Sequence, residues 1–152
     1  TLVVEAALVL EMPNAASEEK LATGRWGERL VARLLVSMLP SADVRWVNEA
    51  HEQGLPYDIV VTEKPGAEPD GSAADPPPQQ FVEVKATSSA SKLLFEMSLH
   101  ELDFAKQQGA RYSLYRVFGA GGAEARVVKL HNVARSLGNG GLALFAGVPG
   151  AI

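Results

Sequence analysis

The segment Phe81-Val82-Glu83-Val84-Lys85-Ala86-Thr87 constrains the fold more than any other stretch of this chain. Its β-branched and aromatic residues predict a strand. Side chains alternate across a strand, so Val82 and Val84 share one face and Glu83 and Lys85 the other. Any fold for this chain must therefore set an apolar surface and a pair of opposite charges on the two sides of one strand. Upstream, Tyr57-Asp58-Ile59-Val60-Val61 reads as a second strand, entered through Gly54 and Pro56, with a carboxylate at its start.

The remaining elements follow from caps and periodicity. Ser17 with Glu18 and Glu19 opens a helix whose acidic first turn suits the helix dipole. It runs to about Met38, before Pro40, with Leu30, Val31, Leu34 and Leu35 as its apolar stripe. Val44 to Val47 is a strand, and Lys92 to Met97 a further extended segment. Ser98 and Glu101 spell a capping box, Met97 and Leu102 a hydrophobic staple, and Gly109 ends that second helix. Arg111 to Phe118 and Ala125 to Leu130 make a hairpin across Gly119-Ala-Gly-Gly122. His131 to Leu137 is a helical turn and Leu142 to Phe145 a last strand. The order predicts an α/β domain over residues 18–152, a mixed sheet flanked by helices, behind an N-terminal arm at 1–17. Residues 63–80, rich in Pro, Gly and acid, predict a long surface loop that looks disordered.

Composition narrows the classes of function. At 152 residues the chain has the length of one domain with its own core. It has no cysteine, which rules out disulfides and thiolate zinc sites and suits an intracellular setting, nuclear if the source is a eukaryote. No apolar run approaches about 18 residues, so no membrane span is expected. The apolar N-terminus carries Glu5 and no basic leader, unlike a signal peptide. A start at Thr1 rather than Met suggests a piece of a longer chain with other domains. The formal charge of −4 argues mildly against nucleic acid. However, residues 1–20 and the 62–80 loop each carry −3, which leaves +2 on the rest of the chain.

The charged strand face carries the chemistry. An isolated Glu-x-Lys is usually a solvated ion pair worth under about 1 kcal/mol. Asp58, one hairpin arm earlier, can come opposite Glu83. Two carboxylates on one sheet face repel unless a cation, a metal ion or a nearby Lys, lies between them. Glu28 adds a third acid at the edge of the helix stripe, where it needs a partner or must reach outward. Gly24 and Gly27 beside it fit a helix approaching the sheet closely.

Gly-Arg-Trp-Gly-Glu28, Trp46-Val-Asn-Glu, Pro-Tyr-Asp58-Ile-Val, Phe-Val-Glu83-Val-Lys85-Ala-Thr and Met97-Ser-Leu-His-Glu101 together resemble the C-terminal domain of plant NO VEIN proteins. That domain in turn resembles the PD-(D/E)XK nuclease superfamily. The likeness spans roughly Glu18 to Pro149. It implies a restriction-endonuclease-like mixed sheet in αβββαβ order. It also implies metal-dependent hydrolysis of nucleic acid, with Mg²⁺ or Mn²⁺ held by Asp58, Glu83, the Val84 carbonyl and Glu28. Lys85 would orient water or stabilise phosphate charge. The pattern departs from the superfamily at Pro56-Tyr57-Asp58, where one residue separates Pro from Asp. A non-catalytic module of the same fold, binding nucleic acid or protein, is the alternative.

Other residues have plainer explanations. Arg25, Arg29 and Arg33 could track phosphates but suit a solvated helix face. Trp26, Trp46, Tyr112 and Tyr115 could stack on bases but suit a core. His51, His100 and His131 lack metal-ligand spacing. Thr87, Ser88, Ser89 and Lys92 follow the charged strand and could meet a backbone phosphate.

Overall fold

The computed structural model describes residues 4–8, 18–64 and 77–146. Ser17 and the acidic stretch 65–76 lie outside them. Helix α1 (Glu18–Met38) comes before three antiparallel strands, β2 (Ala42–Trp46), β3 (Ile59–Glu63) and β4 (Gln79–Ala86). Helix α2 (Leu99–Gln108) then carries the chain across to β5 (Tyr112–Phe118), which pairs parallel with β4. A parallel neighbour needs a crossover, and α2 supplies it. Strand β6 (Arg126–His131) turns back antiparallel to β5, and α3 (Val133–Gly138) follows. The five-stranded order is β2-β3-β4-β5-β6. A separate parallel ladder joins β1 (Val4–Leu8) to β7 (Leu142–Ala146). This is the mixed, helix-flanked sheet that the element order predicts, in the restriction-endonuclease-like arrangement that the resemblance implies.

Each sheet face has its own core. On one, Val31 and Leu35 of α1 pack on Ile59, Val61, Val82, Val84, Tyr115 and Val117. On the other, Phe95, Met97, Ala105, Tyr112, Leu114 and Val133 close together. Covered on both sides, β5 is buried at every position. The alternation read in β4 holds, since Val82 and Val84 face α1 while Phe81 joins the opposite cluster. The capping box of α2 is complete: Glu101 N–H donates to Ser98 Oγ, and Ser98 N–H donates to Glu101 Oε2. The staple partners Met97 and Leu102 are both buried.

The structure refines two readings. The extended segment Lys92–Met97 joins no strand of the sheet and has only an isolated bridge at Glu96. The carbonyls of Lys92 and Leu94 instead accept hydrogen bonds from the Arg116 guanidinium. Asp58 also lies just before β3 rather than within it, although its N–H still donates to Val82 O at 2.9 Å.

Gly27 sets how close α1 comes to the sheet. A Cβ there would lie 2.5 Å from Ala86 Cβ, whereas one at Gly24 would meet nothing within 4 Å. Gly27→Ala is therefore expected to push α1 off β4 and lower stability by about 1–3 kcal/mol, while Gly24→Ala should not destabilise the fold. Thermal melts of the two variants check this, and equal melting temperatures would mean that α1 has room to shift.

Candidate functional site

The β3–β4 register sets the first contact. Ile59 pairs with Val82, so the next position back places Asp58 opposite Glu83. Both are buried, Glu83 to 4% exposure. Asp58 is held on both oxygens: Val84 N–H donates to Oδ2 at 2.7 Å, and Asn48 Nδ2 donates to Oδ1 at 2.9 Å. Asn48 is 1% exposed and is fixed in turn, because its Oδ1 accepts from Gln53 N–H. Tyr112 Oη donates to Pro56 O and ties down the approach to Asp58.

Lys85 shares the sheet face of Glu83. Its Nζ lies 2.8 Å from Glu83 Oε1 and 3.0 and 3.1 Å from the two oxygens of Glu101. Glu101 Oε2 thus accepts from both the Ser98 N–H and Lys85, which couples the α2 cap to the β4 cation. Glu28 is placed by α1, and its Oε2 accepts from Trp46 Nε1 at 2.8 Å. Asn48 also favours the charge of Glu28 and so stands between the two acids. Arg25 donates to the carbonyls of Asn48 and Glu49 and lies over the Trp46 ring, so it braces the β2–β3 connection.

The electrostatics follow from burial. Burial pushes Asp58 up to about 7, with the Glu28 charge adding to it. Burial also raises Glu83 well above the usual carboxylate range, despite the opposing pull of Lys85. Burial raises Glu28 in the same direction, against its bond from Trp46. For Lys85, burial would favour the neutral amine, but Glu83 and Glu101 overcome it and hold the ammonium firmly charged.

The structure thus brings Asp58, Glu83, Val84 and Lys85 together and sets Glu28 one hydrogen-bonded neighbour away, through Asn48. Among the described residues, no three His, Cys, Asp or Glu side chains are grouped so as to hold a metal ion. A cleft of about 630 Å³ opens between the start of α1 and the end of β4, with Lys85, Thr87, Ser88, Lys92 and Arg116 on its wall. Asp58 and Glu83 do not line it. Tyr112 and Tyr115 are core residues, and Trp26 and Trp46 pack against the core. Sequence reasoning missed Asn48 as a site residue and assigned Glu101 to capping alone. The available signals were the Asn within Trp46-Val-Asn-Glu and the Glu closing Met97-Ser-Leu-His-Glu101.

The fold and site define a restriction-endonuclease-like α/β domain with paired acids and a lysine at its central strands. The model of the family "Protein NO VEIN, C-terminal" matches residues 27–130, and the chain belongs to that family. It is 32% identical over 128 residues to Protein NO VEIN-LIKE of Arabidopsis thaliana, covering 84% of this chain and 18% of that protein. It is also 32% identical over 138 residues to Protein NO VEIN of the same plant, covering 90% of this chain and 4% of that protein. The chain thus spans a small part of the length of these relatives. No solved structure matches it. Among the described residues, no helix is long and apolar enough to cross a membrane.

Proposed function

We propose that this domain is a divalent-metal-dependent phosphodiesterase of the PD-(D/E)XK type, acting on nucleic acid. One observation carries the reading: Asp58 and Glu83 are buried opposite each other on adjacent strands, with the Lys85 ammonium beside Glu83 and on the cleft wall. Buried like charges of this kind are unfavourable without a counter-ion, and Lys85 answers only one of them directly.

The donor set suits Mg²⁺ or Mn²⁺. Hard cations take oxygen ligands, and Mg²⁺ is commonly held by one or two carboxylates with waters and phosphate completing its shell. A third protein acid is therefore not required. Asp58 and Glu83 would hold the ion with the Val84 carbonyl as a further donor, whereas Glu28, a ligand by the resemblance, stands behind Asn48 and outside that set. Bound there, the metal would polarise the phosphate and lower the pKa of a water. The protein's own groups do the rest. Asn48 and the Val84 N–H fix the Asp58 carboxylate and favour its ionised form. Lys85 supplies fixed positive charge where the phosphate becomes more negative, in a partly dehydrated setting where such charge counts most.

A second reading, a non-catalytic binding module of the same fold, rests on a specific observation of its own. Three carboxylate oxygens already surround Lys85 Nζ, which makes a closed ion-pair cluster needing no ligand. Titration calorimetry with Mn²⁺, alongside cleavage assays on DNA and RNA, separates the two. The expected result is binding in the millimolar range or tighter that Asp58→Ala abolishes, with metal-dependent cutting. Equal metal binding by Asp58→Ala, or nucleic-acid binding with no cutting under any divalent metal, overturns the catalytic reading.

A further inference from the structure

Arg116 is an unusual cation for its position. It lies on β5 directly beside Lys85 of β4, near the carboxyl end of the parallel pair. It is 3% exposed, and its guanidinium lies over the rings of Phe95 and Phe118. Nη1 donates to Lys85 O, and Nη2 donates to Lys92 O and Leu94 O. Among the described residues, no carboxylate pairs with it, and its Nε is the one buried side-chain nitrogen or oxygen without a hydrogen-bond partner. Carbonyl dipoles and aromatic faces reduce the cost of burying this charge, but they supply no counter-charge. Buried charges and orphaned donors are normally matched, so one that is left open at a cleft wall points to something that fits there.

The surroundings give the missing partner its sign. Lys85 is already committed to Glu83 and Glu101, and Lys20 to Glu96. The cleft is also lined by Glu19 and Glu96; among the described residues Lys92 is its lysine outside an ion pair, with Thr87 and Ser88 on the same wall. The turn that carries them is preorganised, because Thr87 Oγ1 accepts from Ser89 N–H and Ser89 Oγ accepts from Lys92 N–H. A lysine outside any such ion pair and hydroxyl donors around a buried, unpaired guanidinium suit an anion with several acceptor oxygens.

We propose that this cleft holds a phosphate group, seated on Arg116 and flanked by Lys92, Thr87 and Ser88. The assignment to a nucleic-acid backbone phosphate rests on the phosphodiesterase reading, whereas the anion site itself stands without it. Such a seat next to Lys85 would fix the register of a strand relative to Asp58 and Glu83.

The test is NMR observation of the arginine Nε–H signals of the wild-type chain in EDTA. One arm adds inorganic phosphate and the other a short single-stranded oligodeoxynucleotide. The expected result is a saturable shift of the Arg116 Nε–H in both arms. Binding of the oligonucleotide should weaken in Lys92→Ala, with its salt dependence reduced by about one ion. Lys92 is exposed, so this variant leaves the core untouched. A shift with phosphate alone keeps the site and assigns it to a small phosphorylated ligand. A signal unmoved in both arms overturns the proposal and leaves Arg116 as a strap for the 92–94 segment. Because EDTA removes divalent metal, the result does not depend on whether the domain cuts. Anion binding by a chain that never cleaves would sink the phosphodiesterase reading alone.

Discussion

Lys85→Met should lower the stability of the metal-free protein by about 3–5 kcal/mol at neutral pH, because it strips a buried carboxylate of its counter-charge. Glu83 is almost wholly buried, and its pairing with Lys85 is the closest ion pair in the site. Glu101 would keep its bond from the Ser98 N–H, so the α2 cap should survive. The cost therefore falls on Glu83, and Glu83→Gln in the same chain should recover most of it. Lys85→Arg keeps the charge and should stay within about 1 kcal/mol of wild type. Chemical denaturation of these four proteins and of Glu83→Gln alone closes the cycle that measures this coupling. A Lys85→Met protein as stable as wild type would mean that Glu83 is already protonated when folded. The same variants bear on chemistry. If Lys85 stabilises phosphate charge, cleavage should fall by roughly 10²-fold or more in Lys85→Met. The Glu83→Gln background, which restores the fold, should not restore cutting. Because Glu83 is itself a proposed metal donor, Glu83→Gln alone is the reference, and a further loss of cutting in the double variant assigns Lys85 a role in the reaction apart from its role in the fold.

What the sequence disclosed depended on how local the signal was. Strand alternation placed Glu83 and Lys85 on one face of β4 and the valines on the other, and the structure agrees residue by residue. The approach of β3 to β4 brought Asp58 opposite Glu83 for the same reason: register follows from pleat and pairing. The cap of α2 was legible because a capping box uses residues three apart. That clarity also hid the second role of Glu101. A carboxylate explained by its helix gave no hint that its oxygens also reach a lysine sixteen positions earlier. Asn48 carries no periodic signal, since its role is set by where the β2–β3 connection folds back onto Asp58. Arg116 reads as one more residue of an alternating strand, and only the packed structure shows a guanidinium with no acid beside it among the described residues. That the extended segment Lys92–Met97 joins no sheet has the same origin. Extended backbone is common to strands and to loops whose carbonyls serve a side chain, and here Arg116 takes them.

These contacts form a continuous polar chain through the middle of the domain. It runs from Glu28 and Trp46 through Asn48 to Asp58, on to the Val84 N–H, and from the neighbouring Glu83 through Lys85 to Glu101 and the α2 cap. Buried networks of this kind are stable only while every member is satisfied. Glu83 and Glu101 share one cation, whereas among the described residues Asp58 and Glu28 make hydrogen bonds only to neutral donors, with Lys85 and Arg25 acting on them at longer range. The negative charge in excess therefore lies on the Asp58 side, which is where an added cation should have its effect.

Metal-free protein should lose stability as pH rises from about 4 to 7, and Mg²⁺ should restore it above 7. The Asp58 carboxyl is raised to about 7 in the folded chain from an ordinary value of 3.8. A raised acid binds its proton more tightly when folded than when unfolded. Its contribution is therefore full below the ordinary value and is lost as pH climbs through the folded one. The slope approaches about 1.4 kcal/mol per pH unit for one proton. Glu83 and Glu28 are raised as well and push in the same direction. Asp58→Asn removes the Asp58 part of this slope. Relief of charge alone would favour the amide, but both Asp58 oxygens accept from N–H donors. One of those donors would then face an amide nitrogen, at a cost of about 1–3 kcal/mol. The variant should thus melt below wild type near pH 5, and the gap should narrow steadily towards pH 8. A metal ion that requires ionised Asp58 should stabilise wild type at pH 8 by about 1.4 kcal/mol at tenfold excess over its dissociation constant, and by less at pH 6. It should leave Asp58→Asn unchanged. Melting curves of the two proteins at three pH values, with and without Mg²⁺, test every part of this. A gap that stays constant with pH would mean that Asp58 is ionised throughout, and equal stabilisation of both proteins by Mg²⁺ would place the ion elsewhere.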